Sequence, residues 1–147
     1  MKLAVVGASG HGLVIAELAE LLGYHVVFYD DAYPKKSKNE KWPVVGRFDD
    51  LLQGSVNDLA VVVAIGNNKV RRNLVEELRK QQFSLPVLIH PNATVSQYAK
   101  IGEATVVFAG AVVNPYSLIG AGVIVNTNAT VEHDCIIGDY SHISPSS

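Results

Sequence analysis

The chain has 147 residues, of which 48% are hydrophobic and 18% charged, enough apolar material for one domain with a real core or for two small ones. A formal net charge of −2 leaves no basic field to hold nucleic acid. The single cysteine, Cys135, excludes an internal disulfide and a cysteine-rich zinc site. The apolar run at the N-terminus is too short for a signal h-region or a membrane span, so a cytoplasmic protein without membrane insertion is expected.

Lys2 to Gly7 (KLAVVG) is rich in valine and bounded by glycine, which predicts a buried strand. Gly7-Ala8-Ser9-Gly10-His11-Gly12 turns the chain, and Leu13 to Leu22 follows as an apolar helix that Gly23 is placed to end. Tyr24 to Asp31 (YHVVFYDD) predicts a second buried strand, and this βαβ unit implies a parallel sheet. Between Ala32 and Val44 two prolines and a run of charges predict a solvated surface loop. A helical turn is expected at 48–52 and a third buried strand at Asp58 to Gly66. Asn67 or Asn68 caps the next helix, in which Val70, Leu74 and Leu78 form one stripe. Ser84 to Ile89 reads as a last strand.

From Ile89 onward every sixth residue is a branched aliphatic: Ile89, Val95, Ile101, Val107, Val113, Ile119, Val125, Val131, Ile137 and Ile143. Four places after each stands a small or compact residue, among them Ala93, Ala99, Thr105, Ala111, Ser117, Ala129 and Cys135. A fixed period of six is the mark of a parallel β-helix, with the aliphatic inward on a short strand and the small residue inward at the bend. Gly102, Gly120 and Gly138, each directly after an aliphatic, are read as easing a tight backbone. The chain is thus a Rossmann-like α/β domain over residues 1–88 followed by a parallel β-helix over residues 89–147.

A glycine-rich turn between strand and helix can hold an anion on backbone N–H groups. Its order here, Gly-x-x-Gly-x-Gly, differs from the dinucleotide fingerprint, and no Gly-Lys-Ser/Thr ending makes it a triphosphate loop. Asp30 and Asp31 close the second strand where an acidic residue meets a ribose in nucleotide folds, and Gly66-Asn67-Asn68 closes the third. All three loops fall at the carboxyl edge of a parallel sheet, so a nucleotide or nucleotide-sugar site is expected there. Three histidines, His90, His133 and His142, fall at outward rung positions. His133 stands between Glu132 and Asp134, and a neighbouring carboxylate orients an imidazole and raises its basicity, as a general base requires.

Taken in order, Gly7-Ala8-Ser9-Gly10-His11-Gly12, Asp30-Asp31, Ile65-Gly66-Asn67-Asn68, Ile89-His90-Pro91, Val125-Asn126-Thr127 and Glu132-His133-Asp134-Cys135-x-Ile137-Gly138-x-x-Ser141-His142 resemble one family. It is the family of sialic-acid O-acetyltransferases and UDP-4-amino-sugar N-acetyltransferases of bacillosamine-type glycan biosynthesis, and the N-acetyltransferase branch is the more similar. The resemblance implies a left-handed β-helix with three rungs per coil, a homotrimer, and acetyl-CoA bound between subunits as co-substrate, with no metal. It implies His133 as general base and Asp134 as its acidic partner. It also implies His142 at acetyl-CoA, Asn126 near the acceptor, and Ser9, Gly10, His11, Asp30, Asp31, Gly66 and Asn67 holding a UDP-linked amino sugar. Family members continue through further coils and a cap, so a C-terminally truncated chain is expected.

Three other readings are weighed against direct N-acetylation. One is O-acetylation of sialic acid or a related sugar, and another a non-catalytic fragment that binds sugar nucleotide. The third is a zinc-dependent β-helix hydratase, for which His90, His133 and His142 supply the number of ligands. An NAD-dependent dehydrogenase is disfavoured by the glycine order and by the solenoid.

Overall fold

Branched aliphatics without a polar break make the centre of a sheet, and two such runs lie side by side here. The computed structural model describes residues 1–147. In it β1 (Lys2–Val6) pairs in parallel with β5 (Leu59–Val63) on one side and β2 (His25–Tyr29) on the other. Leu3, Ala4, Val5, Phe28, Val61 and Val62 are essentially solvent-free. Two more strands, β3 (Lys38–Asn39) and β4 (Trp42–Gly46), complete the order β3-β4-β2-β1-β5, with only the β3–β4 pair antiparallel. The helices are α1 (Gly10–Leu21), α2 (Phe48–Leu52) and α3 (Asn68–Lys80). The chain builds outward from β1 through β2 to β4, then crosses to β5 on the far side of β1. That reversal puts the crevice of the unit at the carboxyl ends of β1 and β5.

The predicted loop at 32–44 holds as turn and loop up to residue 37, but from Lys38 the chain is a paired hairpin. Trp42 packs edge-on against Phe28 at 6.4 Å between ring centroids and donates from Nε1 to Glu20 at 3.1 Å. Lys41 reaches the same carboxylate at 3.0 Å. The edge strand β3 is only two residues long and carries Lys38, which deters further pairing, and Pro34 lies outside the strands. Two other expectations shift. Ser84 makes only an isolated bridge to Ala60, and the chain is not a strand from Ser84 to Ile89. The buried face of α3 is Arg71, Val75 and Leu78, whereas Val70 is 44% exposed. The two units separate between Pro86 and Val87.

In the second unit ten two-residue strands follow at intervals of six: β6 (Leu88–Ile89), β7 (Thr94–Val95), β8 (Lys100–Ile101), β9 (Val106–Val107), β10 (Val112–Val113), β11 (Leu118–Ile119), β12 (Ile124–Val125), β13 (Thr130–Val131), β14 (Ile136–Ile137) and β15 (His142–Ile143). They form three parallel sheets, β13-β10-β7, β14-β11-β8 and β15-β12-β9-β6. Partners such as Ile101, Ile119 and Ile137 lie eighteen residues apart, which is three rungs per coil. Val107, Ala111, Val113, Ile119, Val123, Val125, Ala129 and Val131 make the solvent-free column, with Ile101 and Ile137 packed against its ends. Thr105 and Ser117 take small inward places because each hydroxyl is satisfied, on Gly120 O at 2.9 Å and Asn114 O at 2.8 Å.

The turns hold a second six-residue ladder. Ala104, Gly110, Tyr116, Gly122, Asn128, Asp134, Tyr140 and Ser146 all have positive φ, between 58° and 73°. Two of the three glycines after the aliphatics serve another purpose than the one expected of them, while Gly138 has room for a Cβ. Gly102 and Gly120 are absent from the positive-φ set, but a Cβ on either would lie within 2.6 Å and 2.2 Å of the next coil. Close approach of coils, not turn strain, requires them.

Candidate active site

The three carboxyl-edge loops of the first unit converge. Ala8 N–H donates to Asp30 Oδ2 at 2.8 Å, tying the glycine loop to the end of β2. Gly7 has φ of +108°, and a Cβ there would meet Ala64 O and Ile65 Cδ1 at 2.8 Å, so the glycine loop also lies against the end of β5. Between them opens a cavity of about 260 Å³ lined by Val6, Gly7, Tyr29, Asp30, Asp31, Phe48, Ile65, Val70 and Leu74. That is just below the usual span of ligand sites, roughly 300 to 1,000 Å³. It has an apolar floor of Val6, Ile65, Val70 and Leu74, with the Asp30 and Asp31 carboxylates at the rim.

Of the residues expected to hold the nucleotide sugar, Asp30 and Asp31 line this cavity. Ser9, Gly10, His11, Gly66 and Asn67 do not line it and stand in the loops around it. Ser9 caps α1, its Oγ accepting from Gly12 N–H at 3.3 Å, and Asn67 caps α3 by accepting from Val70 N–H at 3.0 Å. Asp30 is more committed than its position in the sequence suggests. Its second oxygen accepts from Ala32 N–H at 2.9 Å, so both oxygens already hold backbone. Asp31 gives one oxygen to Phe48 N–H at 3.1 Å. Burial, with the Asp50 charge second, raises the pKa of the Tyr29 phenol, so it stays a neutral wall.

Asp30→Ala is therefore expected to act on the loop as well as the ligand. It should lower the melting temperature, since a hydrogen bond to a charged group is worth about 1.5–3 kcal/mol. It should also weaken sugar-nucleotide binding in calorimetric titration. Unchanged affinity in a folded Asp30→Ala protein would remove Asp30 from the site.

Sequence reasoning missed Phe48, Tyr29, Val70 and Leu74 as cavity walls; the last two belong to the predicted apolar stripe of α3. It also missed Lys36, Asn39 and Arg71. Lys36 donates to Ala8 O and Asn39 Nδ2 to Ser9 O at 3.1 Å, so the hairpin and the turn before it brace the glycine loop. The only available signal was a basic and amide-bearing stretch beside a glycine loop, which composition alone reads as solvated.

On the β-helix, His133 lies at the corner between β13 and β14, and its Nδ1 is 2.8 Å from Asp134 Oδ2. Asp134 occupies the left-handed turn position at φ 58°, and its N–H donates to Pro115 O in the adjacent coil at 3.2 Å. The turn ladder thus fixes the carboxylate that fixes the ring. Both side chains are outward, 74% and 71% exposed. The hydrogen bond to Asp134, then the charge of Asp134 and a smaller push from Glu132, raise the imidazole pKa above its usual 6.5. With Nδ1 facing the carboxylate, Nε2 is left to accept a proton.

His142 is exposed on β15 with Nε2 3.0 Å from Asn126 Nδ2, while Asn126 Oδ1 accepts from Thr127 N–H at 2.8 Å. His90 Nδ1 accepts from Asn92 N–H at 2.9 Å. No three His, Cys, Asp or Glu side chains gather as metal ligands, so His90, His133 and His142 do not form a cluster within one chain. No helix is long and apolar enough to cross a membrane.

A nucleotide-type α/β unit followed by a left-handed hexapeptide-repeat β-helix with an outward His–Asp pair defines the class of this protein. Residues 2–78 match the family described as the PglD N-terminal domain, and residues 116–147 match the bacterial transferase hexapeptide (six repeats). The chain belongs to this PglD family of hexapeptide-repeat proteins. It is 38% identical over 111 residues to the UDP-N-acetylbacillosamine N-acetyltransferase of Bacillus subtilis (strain 168), matching 74% of this chain and 51% of that one. The chain thus spans about half the length of that curated relative.

Among solved structures, the acetyltransferase domain of PglB from Neisseria gonorrhoeae FA1090 in complex with acetyl coenzyme A has a TM-score of 0.93 and 49% identity, over 98% of this chain and 70% of that one. PerB from Caulobacter crescentus, in complex with CoA and GDP-perosamine, has a TM-score of 0.88 and 35% identity, over 97% of this chain and 68% of that one.

Proposed function

We propose that the protein transfers acetyl from acetyl-CoA to the amine of a nucleotide-linked amino sugar, specifically a UDP-linked 4-amino sugar, with His133 as general base. The observation that carries this reading is the His133–Asp134 pair, 2.8 Å apart and open to solvent on a hexapeptide coil. Family membership and relatives named for acetyl transfer to sugars support it. In the reaction the amine nitrogen attacks the thioester carbonyl carbon and the C–S bond breaks. His133 Nε2 takes the proton that the amine loses and returns it to the departing CoA thiolate. Asp134 keeps the ring in the tautomer that presents Nε2.

His142, held by Asn126, contacts acetyl-CoA, and Asn126 lies near the acceptor. Ser9, Gly10, His11, Asp30, Asp31, Gly66 and Asn67 hold the nucleotide sugar around the carboxyl-edge cavity.

The protein works as a homotrimer in this reading. Its support is an apolar face on the β-helix, where Leu118 is 45% and Ile136 78% exposed in one sheet and Tyr98 and Tyr116 stack at 5.5 Å. Such a face calls for cover by further copies; a monomer in sedimentation would overturn that part.

The test of function is a panel of acceptors incubated with acetyl-CoA, comprising UDP-linked 4-amino sugars, GDP-perosamine and sialic acid, read by thiol release and product mass. Acetylation of a UDP-linked amine is expected. Transfer to sialic acid hydroxyls alone would replace the reading with O-acetylation, and binding without transfer would make the chain a sugar-nucleotide-binding module.

A further inference from the structure

Arg71 is the largest solvent-free side chain of the molecule, 2% exposed, and it carries a charge. Burying a guanidinium is costly unless its donors are satisfied, and an aliphatic residue on α3 would fill the same space without that cost. Three of its hydrogen bonds go to one short segment. Nη1 donates to Ile65 O at 3.0 Å and to Gly66 O at 3.1 Å, and Nη2 donates to Asn68 Oδ1 at 2.8 Å. Arg71 therefore draws in two successive carbonyls of the turn that follows β5.

Orientation of the N–H groups follows from peptide geometry. In a trans peptide the C=O and the next N–H point in opposite directions. Drawing Ile65 C=O and Gly66 C=O toward Arg71 turns Gly66 N–H and Asn67 N–H away from it. Successive outward N–H groups at a turn make an anion-binding concavity, and the buried positive charge behind them adds to it. The glycine loop after β1 repeats the device with different residues. Lys36 holds Ala8 O and Asn39, itself 8% exposed, holds Ser9 O, which turns Ser9 N–H and Gly10 N–H the other way. Two loops at the crevice of one sheet thus have their carbonyls tied back.

The geometry points to Arg71 as a positioning residue for the pyrophosphate of the nucleotide sugar. It does not touch the ligand; it fixes the turn so that backbone N–H groups, not carbonyl oxygens, face the two phosphates. This rests on the nucleotide-sugar reading of the carboxyl-edge site.

The test separates the phosphates from the base. UDP, GDP, uridine and guanosine are titrated into the parent, Arg71→Met, Arg71→Lys and Asn68→Ala, with thermal melts to establish folding. The parent is expected to bind a nucleoside diphosphate more tightly than its nucleoside. Arg71→Met should lose about tenfold or more in diphosphate affinity while nucleoside affinity stays within about twofold. Arg71→Lys should fall between, because an ammonium cannot reproduce the guanidinium fork. Asn68→Ala, which removes the Nη2 partner and leaves both carbonyl bonds, should lose less in the same direction, and it decides the matter if Arg71→Met does not fold.

Equal losses for nucleoside and diphosphate would reduce Arg71 to a structural residue. So would undiminished diphosphate binding in a folded Arg71 variant. A parent that binds no nucleotide at all would overturn the site reading, and the positioning role with it.

Discussion

His133→Ala is expected to lower acetyl transfer by about a hundredfold to ten-thousandfold, the usual range for losing a general base. Sugar-nucleotide affinity should stay within error, because the residues proposed to hold the nucleotide all lie in the first unit. Asp134→Asn should cost less, since the ring remains and an asparagine tolerates the left-handed turn position that Asp134 occupies at φ 58°.

The pH profile distinguishes a base from a binding residue. His133 works only when neutral, so transfer should fall as pH drops through its pKa, which Asp134 holds above the usual 6.5. Removing the carboxylate charge lowers that pKa, so the acid limb of the Asp134→Asn profile should move to lower pH while its plateau falls. A limb that stays in place would mean that another group is titrating. Full activity in His133→Ala would leave the proposed mechanism without its base.

What could be read from the sequence follows from how many residue types each position tolerates. The inward rungs admit only branched aliphatics and compact residues, so ten of them declared the β-helix from letters alone. The left-handed ladder was hidden because its places hold Ala104, Tyr116 and Tyr140 beside the expected Gly110, Gly122, Asn128 and Asp134. At those turns the coils above and below dictate the backbone and override the residue's own preference.

The hairpin at 38–46 escaped because β3 has only two residues, too few for any alternation, and because Pro43 reads as a breaker. At the candidate site, glycines and aspartates that end strands were visible as a group. The cavity floor was not, since Val70 and Leu74 on a helix look like core until the helix is rotated against its sheet. Arg71 was invisible for the same reason: one of three arginines in NKVRRNLVEELRK reads as a solvated charge.

Ile119→Asp is expected to unfold the β-helix. Ile119 is 4% exposed and lies in register between Ile101 and Ile137, at the middle of three stacked rungs. An aspartate there puts a carboxylate into an apolar column with no partner, an effective penalty of several kcal/mol beyond the lost packing. Domains of this size have only about 5–15 kcal/mol to lose. A solenoid is also stabilised coil against coil, so a break in its middle uncouples both ends.

Two controls make the result specific to the face. Ile119→Val should cost only about 0.5–1.5 kcal/mol. Leu118→Asp, one residue away and 45% exposed, should leave the chain folded, because adjacent residues on a strand face opposite sides. Circular dichroism and hydrogen exchange over 87–147 read all three. An Ile119→Asp protein as stable as the parent would mean that Ile119 does not face inward, and the six-residue rung would lose its structural meaning.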